Sequence, residues 1–350
     1  MHMLAGMNGP DGTVLVTGGS GYLGGWCIAE LLRRGHTVRA TLRDPAREAE
    51  VREAIAREIE AGERLSFHVA DLTSDAGWSE AVAGCSHVLH VASPFPGVQP
   101  SDPDELIVPA REGTLRVLRA ALAASVERIV VTSSVASVGG RAKPSPTPLD
   151  ESAWTDLSYE KLTPYARSKT IAEQAAWDFV REQGAEQRLA TVEPGAIVGP
   201  VLSEDLSFSI GSIKRLLDGM PGLPRIGFSF VDVRDVADLE IKALTAPEAG
   251  GERFIAVADF AWLSEIAAAL RERLGERASK VPKRELPDIL VRIAAVFDSE
   301  VRSVVGQLGR RQEYSSAKAR EMLGWQPRSA RESAVETAES LIERGLVAGD

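Results

Sequence analysis

The sequence predicts an α/β fold, a doubly wound parallel sheet followed by a smaller, mostly helical C-terminal part. Three observations carry this expectation. Short β-branched runs alternate with amphipathic stretches as far as Pro200. A glycine-punctuated turn joins the first run to the first amphipathic stretch, and after Pro200 longer helical patterns take over. Continuous apolar strands separated by helical segments are the mark of a parallel sheet covered on both faces.

The expected strands are Thr13–Thr17, Thr37–Leu42, Leu65–Ala70, His87–Ala92, Arg128–Thr132 and Arg188–Val192. The expected helices between them are Tyr22–Arg34, Ala46–Glu60, Pro103–Ala124 and Pro164–Glu182. In the first helix Leu23, Cys27, Leu31 and Leu32 recur at helical spacing and Gly35 ends the stripe. Beyond Pro200, Gly211–Gly222 reads as a helix, Ile226–Val231 as a strand, and a helix starts at Asp232. A strand at Arg253–Val257 and helices from Leu263 onward complete the pattern, and Lys143–Pro148 reads as an exposed loop. The expected division is 12–200, with 231–258 returning to the sheet; 201–230 with 259–330 as a substrate subdomain; and 331–350 as a C-terminal helix.

The 350 residues carry 40 Lys and Arg against 50 Asp and Glu, a formal charge of −10. An acidic chain without a clustered basic surface is not built to bind nucleic acid, and the short cluster Lys280–Arg284 reads as a solvated loop. Cys27 and Cys85 cannot make a disulfide framework, so a reducing, cytoplasmic setting is expected. No uninterrupted apolar run reaches the ~18 residues of a membrane span, and Met1 to Asp11 read as no secretory signal. Leu286–Val304 is amphipathic and reads as core or dimer surface. The expectation is a monomer or homodimer acting on a small molecule.

The turn Gly18-Gly-Ser20-Gly21-Tyr22-Leu23-Gly24 follows the first strand and opens the first helix. Gly18 permits the tight turn, Gly21 lets backbone approach a pyrophosphate, and Gly24 lets helix and sheet pack closely. Free N–H groups and the helix dipole favour the pyrophosphate at that N-terminus. This makes the sheet Rossmann-type. The second strand runs into Arg43 and Asp44, with Arg39 earlier in it. A site selective for NAD would carry a carboxylate at the tip. Two guanidiniums at Arg39 and Arg43 match a 2′-phosphate instead, so NADP is expected over NAD, although Asp44 rotating inward would reverse this.

Thr163-Pro164 starts a helix on which Tyr165 and Lys169 share one face. A free phenol has a pKa of about 10, and a nearby ammonium is expected to lower it towards useful proton transfer. The same ammonium can reach a ribose hydroxyl. Ser133-Ser134 end the Arg128–Thr132 strand at the sheet edge where such folds bind ligands, and a hydroxyl there can donate to a carbonyl oxygen.

The set Thr17–Gly24, Ser133-Ser134, Tyr165-x-x-x-Lys169 and Pro194-Gly-Ala-Ile-Val-Gly-Pro200 resembles the extended short-chain dehydrogenase/reductase family. The strings Val38–Pro45, Leu89–Pro94 and Tyr165–Glu173 are similar to its dihydroflavonol reductase, cinnamoyl-CoA reductase and microbial carbonyl reductase branch. The resemblance runs from about Thr13 to Gly324–Arg328 and is poor in the substrate half. It implies an NADPH-dependent reductase of ketones and aldehydes, reversible, with Tyr165 as general acid and Lys169 as its partner and ribose ligand. Ser134 would hold the carbonyl oxygen, with Ser133 as fallback. Asp71 and Leu72 match the family's adenine contact, Ala92 and Ser93 the segment under the cofactor, and Pro194, Gly195 and Ile197 the segment beside the nicotinamide. Thr132 is expected to touch the cofactor as well. Glu193 departs from the small or amide residue usual in plant members, which puts the geometry near the nicotinamide in question. Candidate substrate contacts are Phe95, Pro96, Val138, Phe208 and Phe228, which lean apolar and suit a hydrophobic or aromatic carbonyl compound.

Two rivals share these motifs: an NAD-dependent nucleotide-sugar epimerase or dehydratase, and a non-catalytic NADP sensor. The intact Tyr165/Lys169 pair speaks against the sensor, and Arg43 and Thr132-Ser-Ser134 against the epimerase and dehydratase. No metal site is expected. His87 and His90 point to opposite faces of a strand, and Asp232, Asp235 and Asp238 read as a helix cap with first-turn acids.

Overall fold

The computed structural model describes residues 12–94, 102–204, 206–297, 301–302 and 305–347. The chain opens with β1 (Thr13–Thr17), α1 (Tyr22–Arg33), β2 (Thr37–Leu42), α2 (Glu48–Ala56) and β3 (Leu65–Val69). There follow α3 (Trp78–Val82), β4 (Cys85–His90), α4 (Asp104–Ala123), β5 (Arg128–Thr132) and α5 (Ala136–Gly139). The helix α6 (Pro164–Glu182) leads to β6 (Leu189–Pro194), β7 (Ala196–Val198), α7 (Phe208–Leu217) and β8 (Gly227–Asp232). Next come α8 (Val233–Thr245), β9 (Arg253–Ala256), β10 (Asp259–Trp262) and α9 (Leu263–Leu274). The helices α10 (Asp288–Phe297), α11 (Ala317–Leu323) and α12 (Ala330–Glu343) finish it.

Seven strands form one parallel sheet in the order β3-β2-β1-β4-β5-β6-β9. The chain winds outward from β1 to β3, then returns to the other side of β1 with β4. This reversal splays the loops and leaves a crevice at the carboxyl ends of β1 and β4. One face is packed by α1, α2 and α8, whose Ile28, Leu31, Val51, Val236 and Leu239 share a core with Val14 and Val38. The other face is packed by α3, α4 and α6 through Trp78, Val117, Leu118 and Trp177. A second sheet, β10-β8-β7, carries α7, α9, α10 and α12 on a separate apolar cluster.

The helix expected over Gly211–Gly222 starts earlier, at Phe208, because Ser207 caps it by accepting from the Ile210 amide at 3.4 Å. Asp232 caps α8, accepting the Arg234 amide at 2.9 Å. The stretch 317–325, read from sequence with the substrate part, packs Ala319, Leu323 and Trp325 into the first sheet's core. Trp325 is anchored there by its indole N–H, which donates to the Asp235 carbonyl at 2.8 Å. Helix α10 turns Val291 and Ala295 inward and leaves Ile289, Leu290, Ile293, Val296 and Phe297 exposed. Cys27 and Cys85 are buried free thiols. Among the described residues no helix is long and apolar enough to cross a membrane.

Candidate active site

The glycine turn is shaped by close approaches. Gly18 has φ +72°, and a Cβ there would lie 3.0 Å from the Ala92 Cα. A Cβ on Gly24 would stand 2.2 Å from the Gly18 carbonyl oxygen, so only glycine lets α1 start this near the turn. The Gly18 amide donates to the Thr41 hydroxyl at 3.2 Å and the Gly19 amide to the Thr41 carbonyl at 3.1 Å, tying the turn to β2. Gly21 caps α1 without a side chain. The first amides of a helix have no carbonyl one turn behind them, so those at Tyr22, Leu23 and Gly24 are left for an anion. This turn fits a dinucleotide pyrophosphate. The Tyr22 phenol is buried against Asp232 and Arg234, and the Leu23 side chain is core, so these two residues have only backbone to offer the phosphates. We expect Gly24→Ala to cost about 1–3 kcal/mol through overpacking, measured as a shift in the denaturant midpoint, and to weaken dinucleotide binding.

At the far end of the crevice the two arginines part company. Arg39 sits inside β2, and its Nη1 donates to the carbonyls of Ala81 and Ala83, both at 2.8 Å, where α3 ends. The expectation of Arg39 as a phosphate ligand is therefore corrected; its charge already neutralises a helix C-terminus. Arg43 lies just past the strand, exposed, near enough to Asp71 for its charge to help hold that carboxyl below its usual range. Asp71 mainly owes that shift to Thr73, whose amide and hydroxyl it accepts at 2.7 and 2.8 Å. Asp44 accepts the Ala46 amide at 2.9 Å, which commits it to the turn after β2 and not to the crevice. Leu72 packs under Gly113 of α4.

At the mouth of the crevice Tyr165 and Ser134 are hydrogen-bonded through their side chains. Ser134 Oγ also accepts the Ala136 amide at 3.2 Å. Thr163 caps α6, taking the Ala166 amide at 3.2 Å, and so fixes the turn that presents Tyr165. The neighbouring Ser133 hydroxyl is bonded instead to Glu173. Lys169 is buried and donates to the Thr132 carbonyl at 3.2 Å. Burial pulls its ammonium down to about 8, against the pull of Glu173 and Glu240. The phenol goes the other way from the expectation: burial raises Tyr165, partly offset by Ser134. Tyr165 thus stands protonated at neutral pH, as a proton donor must.

His90 lines the same recess as Lys169, Ala92, Ser93, Thr132 and Ser133. Its Nδ1 lies 2.8 Å from the Thr17 hydroxyl, which also accepts the Ala92 amide at 3.0 Å. Burial lowers His90 to about 3, so it is a neutral wall beside the ammonium. Glu193 does not disturb the crevice. It is buried at 0% exposure between Thr191 and Arg253, and burial with Glu173 beside it raises its carboxyl well above the usual range. The Thr132 hydroxyl, expected to face the cofactor, is bonded to Glu240 on α8 instead.

Pro194 ends β6, and a Cβ on Gly195 would fall 2.2 Å from the Ser229 carbonyl, so the chain crosses tightly into β7, where Ile197 is half-buried. Among the substrate candidates, Val138 is corrected: it is fully buried, packed with Leu149, Ile255 and Val257. Phe208 opens α7 and is 40% exposed. Phe228 on β8 stands edge-on to Phe230 at 5.9 Å. Phe95 and Pro96 lie outside the described residues.

A protonated phenol and a buried ammonium at the mouth of a dinucleotide crevice are the equipment of an oxidoreductase that moves hydride to or from a nicotinamide. Comparison with known proteins narrows the class. The model of the NAD dependent epimerase/dehydratase family matches residues 14–258. A cinnamoyl-CoA reductase of Medicago truncatula is 39% identical over 265 residues, 74% of this chain and 80% of that protein. A dihydroflavonol 4-reductase of Hordeum vulgare is 37% identical over 278 residues, 77% of each chain. The crystal structure of yeast methylglyoxal/isovaleraldehyde reductase complexed with NADPH superposes with TM-score 0.80 over 96% of this chain and 100% of that one, at 23% identity, a likeness of fold. Vestitone reductase from alfalfa gives TM-score 0.74 at 26% identity over 96% of this chain and 100% of its own. The chain belongs to the NAD-dependent epimerase/dehydratase family, that is, to the extended short-chain dehydrogenases/reductases.

Proposed function

We propose that this chain is an NADPH-dependent reductase of ketones and aldehydes to alcohols, working reversibly. The observation that carries the reading is the Ser134–Tyr165 hydrogen bond at the strand ends, with Ser133 drawn away by Glu173. The Gly18–Gly24 turn would hold the pyrophosphate, Arg43 the 2′-phosphate, and Asp71 with Leu72 the adenine side. Ala92 and Ser93 would pass under the cofactor, with Pro194, Gly195 and Ile197 beside the nicotinamide. When bound, NADPH supplies hydride to the carbonyl carbon. Ser134 steadies the carbonyl oxygen as charge builds on it, and Tyr165 gives that oxygen its proton. Lys169 holds a ribose hydroxyl, and its charge favours the phenolate left behind.

Phe208 and Phe228, with Phe95 and Pro96, favour a hydrophobic or aromatic carbonyl compound. The names of the relatives, a cinnamoyl-CoA reductase and a dihydroflavonol 4-reductase, support an aromatic acceptor. The test is a panel of aryl and alkyl ketones and aldehydes assayed with NADPH and NADH side by side. Aryl substrates with NADPH should lead. A purified protein carrying stoichiometric NAD and acting on nucleotide sugars would overturn the reading in favour of an epimerase. A hydrogen bond to a charged group contributes about 1.5–3 kcal/mol, so Arg43→Ala should lower kcat/KM with NADPH by about 10- to 150-fold and spare NADH. Arg39→Ala should leave the NADPH-to-NADH ratio unchanged and lower stability alone, since Arg39 serves α3.

A further inference from the structure

Lys169 is reached from both faces of the sheet. Along α6, Tyr165 and Glu173 lie one turn before and after it, and His90 faces it from β4 as a neutral ring. Glu173 bears on the ammonium through its charge, while its Oε1 accepts the Arg253 Nε at 2.7 Å and its Oε2 the Ser133 hydroxyl. From the opposite face α8 sends in Glu240, at 0% exposure. Glu240 Oε1 takes the Thr132 hydroxyl, and Oε2 accepts the Cys27 thiol at 3.2 Å from α1, where Glu30 also bears on Cys27. The Thr132 carbonyl takes the Lys169 ammonium at 3.2 Å. Ammonium and carboxylate therefore meet on one residue at the end of β5.

We infer that Glu240 is a positioning residue, a buried counter-charge that, together with Glu173, keeps Lys169 cationic where it is to hold the cofactor ribose. The inference rests on the reading of Lys169 given above. Removing an opposite charge from a dry site leaves its partner to bear the full desolvation penalty, which for a lysine means losing its proton at lower pH. The two groups bear this out in direction. Burial lifts Glu240 to about 7 and lowers Lys169 to about 8, and each charge opposes the other's shift. Such a pair titrates jointly.

The experiment is NADPH affinity measured by fluorescence titration from pH 6 to 9, a binding readout independent of turnover. In the wild-type protein affinity should hold at low pH and weaken above about pH 8, as Lys169 deprotonates. In Glu240→Gln, which keeps an acceptor for Thr132, the weakening should begin about one pH unit lower, equivalent to about a tenfold change in proton affinity. At pH 8 the variant should bind about three- to tenfold more weakly than wild type, and at pH 6 the two should agree. Cys27→Ala, which strips a donor from the carboxylate and makes it harder to ionise, should move the limb the same way by less; it serves if Glu240→Gln does not fold. Profiles that superpose on wild type, or a loss equal at every pH, would overturn the role of Glu240. A wild-type affinity flat to pH 9 would instead overturn Lys169 as ribose ligand, and this inference with it.

Discussion

Tyr165→Phe should reduce kcat for ketone reduction by about 10²–10⁴-fold, the range of a positioned general acid, and leave NADPH affinity close to wild type. The ring is isosteric, so α6 keeps its packing and its Thr163 cap. What is lost is the hydroxyl that Ser134 binds and that delivers the proton. Because burial keeps this phenol protonated through neutral pH, the wild-type reduction rate should show no alkaline loss below pH 8 that traces to Tyr165. Ser134→Ala should cost less, since it removes one donor to the developing oxyanion and leaves the proton source. Steady-state kinetics with a saturating aryl ketone, together with NADPH titration, check this. A Tyr165→Phe protein within tenfold of wild-type kcat would remove the phenol from the mechanism, and a wild-type protein with no turnover on any carbonyl would favour a sensor.

The sheet was legible because its strands are apolar on both faces and its crossings carry amphipathic stripes, signals that depend only on local sequence. The unpredicted pieces, α3, α5, β7 and β10, are three to five residues long, too short for either period to show. In the site, Gly18–Gly24, Tyr165 and Lys169 were readable because their spacing is itself the chemistry. Side-chain direction was not. Arg39 and Arg43 are four residues apart, about 13 Å along an extended strand, so both could not reach one phosphate; counting back from the strand tip would have separated them. The serine doublet stays open in the strand's own sequence because Glu173, which bonds Ser133, comes from α6, 40 residues away. Its position one turn beyond Lys169 was the available signal. Glu240 had none: it lies 108 residues from Thr132 and on the other face of the sheet.

Glu173→Ala should be the most damaging substitution away from the reacting atoms. Glu173 is 1% exposed and joins three elements: α6, which carries it, β5 through Ser133, and β9 through Arg253. Arg253 is buried too, stacked 3.8 Å over the Trp154 ring, with Nη1 on the carbonyls of Glu151 and Ala153. Two other carboxyls lie near Arg253. Glu193 is held 3.8 Å from Arg253 Nε, its carboxyl raised well above the usual range by burial and by Glu173 beside it. Glu151 is likewise raised by burial and spends its carboxylate on the Ile255 amide at 3.0 Å. Truncation would take the 2.7 Å partner from a buried guanidinium, a loss of about 3–5 kcal/mol, and release Ser133. Chemical denaturation of the full chain measures the first effect. Glu173→Gln, which keeps the acceptor for Ser133, should lose less, about 1–3 kcal/mol. Adding Arg253→Leu to Glu173→Ala should recover part of the deficit, because no charge is then left unpaired. A single variant that loses under about 1 kcal/mol, well below the cost of breaking a buried pair, would show that water or the Glu193 carboxylate meets the Arg253 charge in its place.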